Sequence, residues 1–489
     1  MSNPIPSEFE TRARRAMLEE GFETELPPPV VQELSRLESS APIPAPAPSV
    51  RDLRELPWSS IDNDDSRDLD QVEAAETLPD GDIRVWVGIA DVDAIAPRGS
   101  AIDLYAGRNT TSVYTGAAIF PMLPDELSGG LTSLLQNGER MAVVVEMVVT
   151  REGDVHSPGL YRAILRNHAR LTYHAVGDWL EGVGPIPAGV ADIQGMEDQI
   201  RLQDRAAQWL MAHRQQCGAL DFETIEPVPV MESGRVVGLT VPQKNRARYI
   251  IENLMIAANT TIAGILQAQG VATIQRVVRE PERWSRIVEL ARNLGYHLPN
   301  EPDARPLSVF LAHRRTADPL RFPDLSLSVV KLLGPGEYTV VGPQDEGAGH
   351  FGLAVQSYTH STAPNRRYPD LVTQRLIKAV DSGMPVPYDA SDLEGIARHC
   401  SERESAARKV ERLMRKVTAA VLFHDRVGQV FDAIVTGVAR KGVFIRTLDP
   451  PLEGRVIRGE EGMDVGDRVR VCLLDTDPER GYIDFEREV

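Results

Sequence analysis

Residues 61 to 73 read IDNDDSRDLDQVE, and five aspartates stand within the nine positions from Asp62 to Asp70. Like charges at this density repel one another unless a cation lies among them, so the segment points to a metal site. A solvated acidic loop has the same composition. Ile61 before the cluster and Leu69 between Asp68 and Asp70 argue against it, because they anchor the segment in a core. A calcium loop is the other alternative: Asp62, Asp64, Ser66, Asp68, Asp70 and Glu73 fall at positions 1, 3, 5, 7, 9 and 12 of an EF-hand pattern. Arg67 then occupies position 6, where the turn wants glycine, and Pro57 and Ile61 make poor material for an entering helix.

At 489 residues the chain is too long for one core, and two or three domains are expected. Its 42% hydrophobic and 25% charged residues are those of an ordinary globular protein. No run of about 18 apolar residues is present, so no membrane span is expected. The opening MSNPIPSEFETR lacks the basic-then-apolar pattern of a secretion signal. Cys217, Cys400 and Cys472 are far apart with no CxxC spacing, which argues against a disulfide framework or zinc site and fits a reducing cytoplasm. A monomer is expected. The net charge of −18 runs against a nucleic-acid ligand, but a carboxylate site adds to that charge and only the local path of a polyanion must be positive. Basic residues gather at Arg366, Arg367, Arg375 and Lys378, and again at Arg408, Lys409, Arg412, Arg415 and Lys416. Each group alone reads equally as a solvated helix face.

Three regions differ in pattern. Residues 1–50 hold a helix over about 6–20, with Ser7 as N-cap and Gly21 as stop, a second short helix near Val30 to Leu37, and the spacer APIPAPAPS at 41–49. They read as a helix-turn-helix-like module or a docking arm. Residues 51–424 mix strands (IRVWVGIADV, MAVVVEMVV) with helices near 193–214, 247–268, 366–382 and 402–424, without a βαβ period, so the class is α+β. Residues 425–489 show short strands punctuated by glycines (VFDAIVTGV, GVFIRTL, GRVI, RVRVCLLD, YIDF), the pattern of a five-stranded barrel of OB type or a small SH3-like barrel. Phe431 and Phe444, with Arg440, Lys441 and Arg446 nearby, would suit single-stranded RNA on a barrel face, although half of the apolar set must fill the interior.

SSIDNDDSRDLDQ resembles the signature of the RNase II (RNB) family, and so do the segments that follow it. These are WVGIADVDAIAPRGSAIDLYAGRNTTSVY, IFPMLPDELSGGLTSL, ILRNHARLTYHAV, GALDF, ENLMIAANTTIA and HFGLAVQSYTHSTAPNRRYPDL, in family order across most of the chain. The terminal barrel then looks like the S1 RNA-binding domain of that family. The resemblance implies a 3′-to-5′ exoribonuclease that uses Mg²⁺ to release nucleoside 5′-monophosphates from single-stranded RNA. By motif position, Asp62 and Asp68 would be metal ligands and Asp70 the carboxylate tied most closely to catalysis. The fourth acidic position holds Gln71, which offers a neutral oxygen and one charge fewer; weaker metal binding or a preference for Mn²⁺ follows, unless Asp64 or Asp65 compensates.

Arg366 and Arg367 match the family arginines that grip phosphates near the cut, although the surrounding motif reads Thr362-Ala363-Pro364-Asn365-Arg366 where the family has T-S-P-I-R. Tyr114 matches the tyrosine that stacks on the terminal base, and Glu411 a glutamate near the leaving nucleotide, with an i,i+4 pair to Arg415 as its alternative. His360 reads as a structural histidine holding a backbone carbonyl, with RNA contact as its alternative. Trp284 is the sole aromatic near the expected place of a second stacking residue. Family members carry two cold-shock domains ahead of the catalytic domain where this sequence has about 50 residues; a more open entrance, and tolerance of duplexes with a short 3′ overhang, are expected. Two alternatives stand beside this reading: an RNB-type RNA-binding or regulatory protein weakened in catalysis, and a phosphodiesterase acting on DNA.

Overall fold

The computed structural model describes residues 8–38, 50–223, 225, 227–232, 235–241, 244–439 and 442–488. Its centre is a mixed seven-stranded sheet. Across the sheet run Arg51–Asp52, Val155–Arg166, Glu139–Val149, Ile83–Ala90, Gln71–Thr77, Ser59–Asp62 and Ala169–Thr172. The two outermost pairs are parallel and the rest antiparallel. The strand Ile83–Ala90 is buried on both faces except at Arg84, as its continuous apolar run predicts. Gly88 is required there: a Cβ would lie 2.6 Å from Leu165 and 3.2 Å from Val72.

Helices Met196–Gln216 and Arg246–Ala268 pack on each other and against this sheet. By length and composition the second could cross a membrane, contrary to expectation. Ile250, Leu254, Ile262 and Leu266 are fully buried in the core, so it is the central helix of a folded domain. Helix Ala390–Phe423, longer than its sequence pattern suggested, is started by Asp389 in a reciprocal capping box with Asp392. Its far end enters the next core, where Ala420 and Phe423 pack with Phe431 and Phe485.

That core belongs to a closed barrel of five strands, Val430–Ala439, Gly442–Thr447, Glu453–Arg458, Tyr482–Arg487 and Arg468–Asp477 in spatial order. All five strands match the sequence reading, and the class is α+β with a small OB-type barrel. At the other end, helices Glu8–Glu19 and Pro28–Glu38 form with Gly21 at φ +80° after the first; Ser7 and the spacer at 41–49 lie outside the described residues. They pack into two different cores. Ala13 and Met17 join Val410, Met414, Val113 and Phe120, whereas Val30 and Leu34 join the sheet.

Candidate active site

Asp62 ends the strand Ser59–Asp62, and the loop after it is pinned from both sides. Leu69 is 1% exposed; its N–H donates to Ser133 Oγ at 3.0 Å, and that hydroxyl donates to Arg67 O at 2.6 Å. The anchoring that Leu69 suggested is real, and it delivers Asp70 to the interior at 1% exposure. There Asp70 meets residues nearly 300 positions away. Its Oδ1 accepts the N–H of Asn365 at 2.9 Å and its Oδ2 accepts Arg366 Nε at 2.9 Å. The departure at Asn365 has a structural account, since its side-chain oxygen accepts Thr132 Oγ1 at 2.5 Å and fixes the loop. Arg367 ion-pairs with Asp370 at 2.7 Å.

Tyr114 closes the group. Its hydroxyl donates to Asp68 Oδ2 at 3.2 Å and its N–H donates to Glu411 Oε1 at 3.1 Å. The neighbouring Ser112 N–H donates to Arg366 O, so the tyrosine hairpin is stitched to the arginine loop. Asp62, Asp68, Asp70, Tyr114, Arg366 and Glu411 are therefore one site drawn from four separate stretches of chain.

Burial raises Asp70 to about 7, with Asp68 and Asp370 adding to the effect and Arg366 and the Asn365 N–H opposing it. Burial also raises Asp62. Glu73, two residues past Gln71, is wholly buried, and neither carboxylate oxygen has a hydrogen-bond partner. It is held well above the carboxylate range by burial and then by Asp62. Asp64 and Asp65 sit exposed on the turn, where Arg170 holds the backbone carbonyls of Asp64 and Ser66; they do not stand in for the missing fourth acid.

The donor set, hard carboxylate oxygens with an orphaned buried carboxylate beside them, fits a divalent cation of the Mg²⁺ type. The ligands are not drawn together in advance: among the described residues no group of three or more His, Cys, Asp and Glu converges on one point.

The site opens into a cavity of about 980 Å³ roofed by Leu448 and Pro451 of the barrel. Tyr114, Glu411 and Arg415 line it together with Phe222, Tyr173, Tyr249, Lys244, Arg248 and Arg315. None of the last six was singled out from sequence. Tyr173 and Phe222 stood inside recognised segments, LTYHAV and GALDF, but an aromatic among apolar neighbours reads as core. Trp284 is core, 3% exposed and bonded through Nε1 to Pro299 O. His360 pairs through Nδ1 with Tyr338 Oη at 2.8 Å, a side chain where a backbone carbonyl was expected.

Of the basic groups, Arg375 and Lys378 are spent on Asp91, Asp93 and Asp103. In the barrel, Phe431 is core at 6% exposure and Phe444 is exposed at 39%. Arg446 is buried against Asp324, and Arg440 and Lys441 lie outside the described residues.

A sheet that presents an aspartate loop to an arginine loop, under a five-stranded barrel, defines the class, and the chain belongs to the RNB family: the RNB domain matches residues 50–383 and the RNase II-type exonuclease C-terminal S1 domain matches residues 429–488. Its relatives include ribonuclease R of Thermotoga maritima, 31% identical over 83% of this chain and 57% of that protein, and ribonuclease R of Escherichia coli, 31% identical over 88% and 54%. The chain thus spans a little over half the length of these relatives. In fold it is similar to Mycoplasma genitalium RNase R in its apo form (TM-score 0.87, 22% identity, 98% of this chain and 78% of that one). It is also similar to yeast Ssd1, a pseudonuclease (TM-score 0.71, 18% identity, 91% and 55%).

Proposed function

We propose that this chain is a hydrolytic 3′-to-5′ exoribonuclease that degrades single-stranded RNA to nucleoside 5′-monophosphates with a divalent cation, Mg²⁺ or Mn²⁺. The observation that carries this reading is the convergence of Asp68, Asp70, Tyr114, Arg366 and Glu411 at the mouth of one cavity beneath the barrel. Family membership and the relatives named ribonuclease R support it.

Asp62, Asp68 and Asp70 would hold the cation, with Gln71 as a neutral donor; when bound, it polarises the scissile phosphate and lowers the pKa of water. Arg366, paired with Asp70 and 40% exposed, is placed to release that carboxylate and take up negative charge on the phosphate. Tyr114, 41% exposed over the cavity, offers a ring face to the terminal base, which accepts any of the four. Glu411 holds the Tyr114 backbone and faces the same space. Lys244, Arg248, Arg315 and Arg415 line the cavity with Glu223, Glu252 and Glu411, a lining one formal charge positive in a chain of net charge −18. Arg367 supports Arg366 from its pair with Asp370, and Phe444 offers an exposed ring on the barrel.

Labelled single-stranded RNA and DNA incubated with Mg²⁺ or Mn²⁺ test this reading. Monophosphate release from RNA, lost in Asp70→Asn, is expected; equal activity in the variant would overturn it. Tolerance of overhang duplexes is part of the proposal, supported by the fold likeness to an RNase R solved with double-stranded RNA. A halt several nucleotides before the duplex would remove that part. The second reading, an RNB-type RNA-binding protein weakened in catalysis, draws on Gln71 and the likeness to a pseudonuclease. Binding without hydrolysis in both metals would favour it.

A further inference from the structure

We infer that Arg248 seats a phosphate of the bound RNA and, through Asn63, couples that phosphate to the metal ligand Asp62, so that strand and cation each tighten the binding of the other. The inference rests on the metal-dependent reading above and adds a positioning residue outside the aspartate and arginine loops.

Two cations of the cavity are already paired. Lys244 lies 3.7 Å from Asp221 and 3.6 Å from Glu252, and Arg315 Nη1 lies 2.6 Å from Asp221. Arg248 pairs with no carboxylate among the described residues. Its Nη2 donates to the neutral Asn63 Oδ1 at 3.0 Å, and its guanidinium lies 4.4 Å over the centre of the Tyr173 ring. The rest of that fork of donors is left for an anion in the cavity that Arg248 lines.

Arg248 stands on a fixed base. Its N–H donates to Asn245 Oδ1 at 3.0 Å at the start of helix Arg246–Ala268, and Asn245 Nδ2 donates to Tyr173 O at 2.7 Å. A Cβ at Gly177 would collide with Asn245, so this junction is closely packed. The other end of the contact is the metal loop. The Asn63 N–H donates to Asp62 Oδ1 at 2.7 Å, and the Asn63 carbonyl accepts the Ser66 N–H at 3.3 Å. Arg170 holds one side of that turn by the carbonyls of Asp64 and Ser66, and Arg248 holds Asn63 from the cavity side.

Among the described residues the carboxylates do not converge before a cation binds, and ordering them costs conformational entropy. A phosphate on Arg248 forms a charge-assisted pair that fixes the guanidinium, and the planar fork holds Asn63 at the same time. The turn and Asp62 are then ordered before the cation arrives. By linkage the cation tightens the strand by the same factor.

The experiment measures that coupling directly. Mn²⁺ is titrated into the metal-free chain, and free Mn²⁺ is followed by its electron paramagnetic resonance signal. The titration is run alone and with saturating single-stranded RNA whose 3′ linkages are phosphorothioates, which slow hydrolysis; the ratio of the two affinities is the coupling factor. Asn63→Ala is expected to bind RNA in EDTA as wild type does and to lower the coupling factor about fivefold. Arg248→Ala is expected to lower both. Arg248→Lys, which keeps the charge and loses the second arm of the fork, should keep RNA binding and lose the coupling. The double variant Asn63→Ala/Arg248→Ala should couple no worse than Arg248→Ala, because the two residues act along one path.

A wild-type coupling factor in Asn63→Ala or Arg248→Lys overturns the inference and leaves the metal-dependent reading intact. So does wild-type RNA affinity in Arg248→Ala, which places the strand elsewhere. An Asn63→Ala that weakens Mn²⁺ equally with and without RNA shows a damaged loop and no coupling, and it too overturns the inference. No Mn²⁺ binding by wild type, with or without RNA, overturns the metal-dependent reading and the inference with it.

Discussion

Two carboxylates set the behaviour of this protein at the residue scale. In the unfolded chain Asp70 and Glu73 lose their protons near pH 4. In the folded chain burial keeps Asp70 protonated to about 7 and holds Glu73 well above its ordinary range. Between about pH 4 and pH 7 the folded state binds more protons than the unfolded state, so metal-free stability falls as pH rises through that window. Denaturant unfolding in EDTA is expected to give a lower midpoint at pH 7.5 than at pH 5, and Glu73→Gln to narrow the gap; a gap unchanged by the substitution would contradict this account. At Tyr114 the ring and the hydroxyl separate cleanly. In an Asp70→Asn background, Tyr114→Ala is expected to weaken RNA binding by the ~1–3 kcal/mol of one stacked base, while Tyr114→Phe, losing only the bond to Asp68, changes it little. Filter binding with a labelled oligonucleotide measures both.

At the scale of elements, the site depends on a helix that contains none of its residues. Helix Glu8–Glu19 places Met17, 1% exposed, in one core with Val113 and Phe120, the two residues paired across the Tyr114 hairpin. Met17→Ala should cost about 2–4 kcal/mol of stability and loosen the hairpin that carries Tyr114. The expected result is a larger rise in KM than fall in kcat, measured on a short single-stranded RNA, with the barrel core untouched. Helix Ala390–Phe423 does similar work: Glu411 meets Tyr114 midway along it, and Phe423 enters the barrel twelve positions later. One rigid element thereby sets the distance between the site and its roof.

For the whole molecule, a net charge of −18 and an RNA ligand are reconciled by distribution. Lys244, Arg248, Arg315 and Arg415 come from three stretches of chain to line one cavity, where Lys244 and Arg315 both pair with Asp221, while Arg375 and Lys378 neutralise interior aspartates. Each phosphate contact to a single strand contributes a salt slope of about −0.7, so four contacts predict about −3 in log affinity against log salt. Arg248→Ala should reduce the slope by ~0.7, measured by fluorescence anisotropy of a labelled RNA from low to moderate salt. An unchanged slope would place the RNA elsewhere.

By itself, the sequence determined the class, the barrel and the aspartate loop, because these follow from local pattern: alternation in IRVWVGIADV, glycine-punctuated short strands, and Leu69 embedded among acids. It also exposed Gln71, a departure visible by position alone. Tertiary structure decided what no local pattern contains. Asn365 reads as a lapse in the arginine loop until Thr132 and Asp70 are found on either side of it. Phe222, Tyr173 and Arg248 become cavity residues only when distant segments close around one space. Glu73 reads as one more acid beside an acidic loop, and only burial shows that its two oxygens are unpaired. The physical reason is common to all three: periodicity fixes which face of an element a side chain occupies, and packing alone fixes what lies opposite.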